Sequence, residues 1–145
     1  MTEPIVLEFD VRATPEHAFR TWTELCDHWW PPSHSMSGSG EFTVIFEPRA
    51  GGRIFERGPD GTEYEWGQVT TWDAPHRIAY RWHIFLDPGR ATTVEVTFEP
   101  SGVGTKVRLV NDGFEVFGEG ASERADRVGA AWGGITDRYR DHIPS

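Results

Sequence analysis

The chain has 145 residues and a mass of 16.4 kDa, room for one domain but not for two ordinary ones. With 37% hydrophobic and 26% charged residues, its composition is globular rather than disordered. Its 14 basic and 23 acidic side chains leave a net charge of −9, and Lys106 is the only lysine, which argues against binding a nucleic-acid backbone.

Cys26 is the only cysteine, which excludes an internal disulfide and a multi-thiolate zinc site. The opening MTEPIVLEFD lacks the basic-then-apolar order of a signal peptide. No apolar run approaches the roughly 18–20 residues of a membrane helix. A cytoplasmic setting without membrane insertion is the default expectation.

In residues 5–11, Ile5, Leu7, Phe9 and Val11 alternate with Val6, Glu8 and Asp10, the period of a strand. Thr14-Pro15-Glu16 supplies an N-cap, a first-position proline and an acidic first turn. A helix is predicted from about Pro15 to about Trp22, burying Ala18, Phe19 and Trp22. A second short helix over Glu24–Trp29 is stopped by Pro31-Pro32. The composition of 33–40, SHSMSGSG, reads as a flexible loop.

Six strand-like runs follow: 41–47, 53–57, 62–73, 77–85, 92–99 and 105–111, joined by Gly-, Pro- and Asp-rich turns. In 62–73 the alternation slips near Gly67, which predicts a bulge or kink there. Hairpin-length links predict an antiparallel meander with one apolar face. From about Gly120, Ala121, Arg124/Ala125, Val128, Ala131/Trp132, Ile135 and Tyr139 recur every three or four residues, the pattern of a long amphipathic helix. The expected architecture is a single α+β domain over 1–145. A curved antiparallel sheet of six to seven strands wraps the C-terminal helix, two short helices follow the first strand, and a ligand-sized space lies between sheet and helix.

Several stretches resemble the START-like, helix-grip superfamily, and within it the group related to the C-terminal domain of the Hsp90 ATPase activator. They are Thr14-Pro15-Glu16-His17-Ala18-Phe19 with Trp22 and Trp29-Trp30-Pro31, and Gly51-Gly52. The most specific is Gly67-x-Val69-x-x-Trp72-x-x-Pro75-x-Arg77-Ile78-x-Tyr80-x-Trp82. Thr93-x-Glu95-Val96-x-Phe98 leading into Gly104-Thr105-x-Val107 completes the set. The resemblance covers nearly all of the chain and implies the helix-grip fold. The superfamily hosts ligand carriers, cyclases, hydrolases and co-chaperone domains, so it leaves function open. The activator carries a further N-terminal domain for which this chain has no room, and stimulation of an Hsp90 ATPase is therefore not expected. Where relatives often have a His-x-Gly-like element after the last strand, this chain has Asn111-Asp112-Gly113-Phe114, so histidine chemistry placed there does not carry over.

Trp30, Phe42, Phe46, Trp66, Tyr80, Trp82, Phe114 and Trp132 either fill the core or wall a pocket for a flat apolar or aromatic ligand. Val96 lies with Val94 and Phe98 on the apolar face. His34 lies in a loop near the expected mouth, whereas His83, of opposite parity to Trp82, points outward. His76 and His142 are expected in solvent. No His-x-His or His-x-x-x-His pair suggests a metal site. Of Glu56, Glu63 and Glu65, one facing inward would have a raised pKa and become an acid or base. The bland reading pairs them on the outer face with Arg53, Arg57 or Arg81. Glu56 shares parity with Ile54 and is the best inward candidate. Tyr64 and Asn111 are the polar groups best placed to orient a ligand, although Asn111 also fits an Asn-Asp-Gly turn. There is no Gly-x-Ser-x-Gly, Cys26 has no cation beside it, and Gly51-Gly52 reads as a hairpin turn rather than a phosphate loop. No cofactor is implied.

The leading expectation is a binding protein for a small hydrophobic or aromatic molecule. An enzyme resembling cyclases or hydrolases, using an inward Glu or Tyr, and a co-chaperone-like interaction module are the rivals. Homodimerisation through an edge strand stays open.

Overall fold

A computed structural model describes residues 3–38, 40–84, 88–102 and 104–143. The chain runs β1 (Ile5–Val11), α1 (Pro15–Thr23), α2 (Cys26–Trp29), β2 (Thr43–Phe46), β3 (Arg53–Arg57), β4 (Glu63–Asp73), β5 (Arg77–Trp82), β6 (Thr92–Ser101), β7 (Gly104–Asp112) and α3 (Ala121–His142). Short 3₁₀ turns cover Pro32–His34, Pro88–Arg90 and Phe114–Phe117. The seven strands form one antiparallel sheet, ordered β1-β7-β6-β5-β4-β3-β2. This is the α+β helix-grip fold. Phe85, at the end of the run expected for β5, lies outside the described residues.

The period-two pattern positions the core. Leu7 faces Leu109, Phe98 faces Val107 and Tyr80 faces Val94, with the polar residues between them turned outward. Thr14 caps α1 by accepting a hydrogen bond from the His17 N–H at 3.2 Å. Thr14→Ala is expected to cost about 1 kcal/mol, read as a small fall in melting temperature by thermal denaturation. The helix lays Phe19 edge-on against Trp72 and Phe98, at 5.1 and 5.3 Å between ring centres. The Tyr139 hydroxyl of α3 donates to the Ala18 carbonyl at 2.8 Å and fastens α1 to the long helix.

The break expected near Gly67 is present. Ile54 pairs with Gly67 and Phe55 with Glu65, leaving Trp66 as the extra residue of a bulge. A Cβ at Gly67 would collide with the Arg81 carbonyl oxygen of the neighbouring strand, so only glycine fits. A second irregularity at Thr70 was not expected. Beside the first bulge the inside–outside alternation fails, and Ile54, Phe55 and Glu56 are all buried. Phe55 is covered on the outer face by the Arg53 and Arg57 guanidinium groups, which also pair with Glu63.

Two expectations need correction. The 33–38 part of the segment expected as a flexible loop is tied down: Ser35, Met36 and Ser37 all bond the Glu56 carboxylate. His83 does lie opposite Trp82 in parity, yet it is only 3% exposed. Its Nε2 sits 3.1 Å from the Glu65 carboxylate, and that pairing lets an imidazole lie against the sheet.

Candidate functional site

Between sheet and α3, indole rings occupy most of the space a ligand would need. Trp30 lies 4.8 Å from Trp66, 5.8 Å from Trp82 and 6.2 Å from Trp132, centre to centre. Trp82 closes the set against Trp66 and Trp132, at 5.8 and 5.9 Å. Trp22 and Trp29 extend it toward α1 and Tyr139. Burying a Trp removes roughly 200 Å² from water, about 5 kcal/mol gross per ring. This side of the molecule is therefore core.

A pocket of about 210 Å³ remains at the end of the sheet where β5, β6 and β7 meet the start of α3. Trp82, Ile84, Phe114, Phe117 and Val128 wall it, together with Thr92, Asn111 and Arg124. The local sequence explains each position. Trp82 ends β5 and faces Thr92, the first residue of β6. Asn111 is the last inward residue of β7. Gly113, at φ 93°, turns the chain left-handed into the Phe114–Phe117 turn. That turn buries Phe114 and leaves Phe117 half-buried. Arg124 and Val128, four residues apart, share one face of α3. Phe114 packs with Ala121 and Ala125 in a small cluster of their own.

The polar groups differ sharply in what they have left to offer. Asn111 Nδ2 donates to the Thr92 hydroxyl at 2.9 Å and to the Thr93 carbonyl at 2.8 Å. Its Oδ1 accepts from Trp132 Nε1 at 3.0 Å. The amide ties β7, β6 and α3 together, with both its donors used. Arg124 lies half-buried with its guanidinium carbon 4.6 Å from the centre of the Phe117 ring. It is the one ionisable side chain among the described residues of the lining.

The expected site residues therefore divide. Trp82, Asn111 and Phe114 come together in this pocket. Trp30, Trp66, Tyr80, Val96 and Trp132 are buried in the core. Phe46 packs half-buried against that core, and Phe42 lines a separate shallow cleft with Arg57 and Pro59. The His34 carbonyl accepts from Trp30 Nε1 at 3.1 Å. Tyr64, half-buried, faces Glu56 across the β3–β4 pair. Ile84, Thr92, Phe117, Arg124 and Val128 were not anticipated as lining. A signal for three of them was present, since Arg124 and Val128 fall in the three-to-four-residue recurrence of α3 and Phe117 follows Phe114 between glycines.

Glu56 is fully buried but held by donors from Ser35, Met36, Ser37 and Trp66. Ser35 Oγ reaches it at 2.8 Å, the Met36 and Ser37 N–H groups at 2.6 and 2.9 Å, and Trp66 Nε1 at 3.2 Å. Burial alone would push its carboxyl up, but hydrogen bonds from Ser37, Met36 and Ser35 outweigh that and hold it below the ordinary glutamate value. The group is an ionised anchor rather than a proton donor. Burial pushes the Tyr80 hydroxyl up despite its contact with Trp22 Nε1, so it stays protonated. Burial and the neighbouring Asp27 push the Cys26 thiol up, which leaves it inert. Among the described residues no group of three or more metal-binding side chains converges, and no helix is long and apolar enough to cross a membrane.

The family model described as "Activator of Hsp90 ATPase homolog 1-like protein" matches residues 12–139. The chain belongs to this family. Among solved structures, the anthrahydroquino-gamma-pyrone synthase Txn09, complexed with SUM, is 33% identical, with 97% of each chain covered and a TM-score of 0.68. Protein MLL2253 from Mesorhizobium loti is 19% identical over 96% of this chain and 95% of its own, with a TM-score of 0.71. The Aha1 dimer from Colwellia psychrerythraea is 13% identical over 97% and 95%, with a TM-score of 0.70. The last two share the fold alone. No curated protein matches. The homolog 1-like family assignment thus agrees with the resemblance carried by the Gly67–Trp82 motif, and runs from just after β1 to Tyr139 in the last turns of α3.

Proposed function

We propose that this protein binds a compact apolar or aromatic molecule in the pocket between the ends of β5, β6 and β7 and the start of α3. The observation that carries the reading is the lining itself. Three aromatic and two aliphatic walls surround about 210 Å³, and a cavity of about 150 Å³ already holds benzene. The space suits one or two fused rings, smaller than most drug-sized ligand sites. Glu56 is ionised and saturated, Tyr80 is enclosed in the core, and neither a glutamate nor a tyrosine is among the described lining residues.

The test is calorimetric titration with 2-naphthamide, alongside thermal shift. A saturable heat and a raised melting temperature are expected. Val128→Phe, a half-buried change that fills the pocket, is expected to abolish both while the protein stays folded. Equal binding by the filled variant overturns the reading, and so does absence of saturable binding by both the amide and its carboxylate counterpart 2-naphthoate.

A second reading rests on the 33% identity to a pyrone-forming synthase. A ring closure here would rely on holding a flexible chain folded, because neither Glu56 nor Tyr80 lines the pocket. Conversion of an ortho-hydroxyaryl 1,3-diketone to its cyclised, dehydrated product, followed by mass spectrometry, supports it. Recovery of the diketone unchanged leaves binding alone.

A further inference from the structure

We infer that the ligand of this pocket is a flat aromatic anion, its carboxylate paired with Arg124. The inference rests on the pocket being a binding site and adds the class of molecule it selects. Every other lining residue is uncharged, and a carboxylate gains more from a cation placed there than a neutral group does. Asn111 has both its donors committed within the protein and cannot supply the polar recognition. The Thr92 hydroxyl accepts from Asn111 and points toward the Trp82 carbonyl, 3.4 Å away. That leaves Arg124 as the strongest group available to a polar substituent.

Arg124 is also prepared for the task. Its guanidinium carbon lies over the Phe117 ring, a cation–π contact that holds the group beside the pocket. The protein carries a net charge of −9, and Glu115, Glu119 and Glu123 lie exposed in the same stretch. None of the described carboxylates forms an ion pair with Arg124, unlike Arg53, Arg57, Arg77 and Arg108. A planar guanidinium left unpaired beside an aromatic pocket presents two parallel N–H donors to a carboxylate. The rings then lie between Trp82 and the Phe114–Phe117 pair, and the carboxylate reaches the rim.

The experiment compares 2-naphthoate with its near-isosteric neutral partner 2-naphthamide, by calorimetric titration. The wild-type protein is expected to prefer the naphthoate about 10-fold or more, with the preference shrinking as salt is raised. Arg124→Gln should bring the two probes to equal affinity, near that of the amide in the wild-type protein. Arg124→Lys should keep part of the preference, because the charge remains and the fork is lost. Equal affinities in the wild-type protein, or a preference that survives Arg124→Gln, overturn the anion assignment while the pocket itself stands. Failure of both probes to bind overturns the pocket reading, and this inference with it.

Discussion

Glu56→Gln is expected to lower stability at neutral pH by about 2–4 kcal/mol, because hydrogen bonds to a buried charge are worth more than neutral ones. The amide keeps the shape but presents an NH₂ group where donors already point. At least one of the Ser35 hydroxyl, the Met36 and Ser37 N–H groups and Trp66 Nε1 then loses its acceptor. The melting temperature should fall by roughly 10 °C. The pH dependence has a definite sign. Glu56 is held below the ordinary value of 4.5, so its contribution is complete above that pH. It is lost as pH falls through the folded-state value. The gap in melting temperature between wild type and Glu56→Gln should therefore be constant from about pH 6 upward and close in acid. A gap that stays constant into acid would contradict the anchoring role. Release of the 35–38 segment is the accompanying change, visible as faster proteolysis there.

Trp132→Ala is expected to cost about 3–5 kcal/mol, the range for deleting a large buried aromatic. It should lower the melting temperature by roughly 10–15 °C. The ring touches Trp22, Trp30 and Trp82, and its N–H satisfies Asn111 Oδ1. Trp132→Phe separates the two losses. It keeps much of the volume and removes only the hydrogen bond, so about 1–3 kcal/mol is expected. The alanine variant should also change what the pocket accepts. Trp132 backs two lining residues, Trp82 and Asn111, so its removal joins the 210 Å³ space to new volume in the core. Three-ring anthracene-2-carboxylate should gain affinity relative to 2-naphthoate in Trp132→Ala. An unchanged ratio would mean that the core collapses into the gap.

The fold was readable because its signals are local. Ile5, Leu7 and Phe9 alternate, Thr14-Pro15-Glu16 starts a helix, and the spacing from Ala121 to Tyr139 is helical whatever surrounds it. Gly67 marked its bulge by breaking parity. The Phe114–Phe117 turn went unseen because four residues are too few to show a period. The fate of the aromatic residues was not readable for a different reason. Whether eight aromatic rings wall a cavity or fill it depends on sheet curvature and on how far α3 stands off, and neither is written in residue order. Inward parity pointed correctly to Asn111 and Glu56 as buried. What satisfies them did not follow, since Trp132 lies 21 residues from Asn111 and Ser35 lies 21 residues from Glu56.

Phe114, Ala121 and Ala125 form a hydrophobic cluster separate from the main core, and the pocket lies along the seam between the two. A seam is where a protein opens at least cost, so the segment from Gly113 to Ala125 should behave as its own cooperative unit. Its amide hydrogens should exchange with solvent well before those of β6 and β7. A ligand that touches Trp82 on one side and Phe117 on the other would rivet the two units together. Slower exchange confined to that segment would then mark occupancy even where the rest of the molecule does not respond.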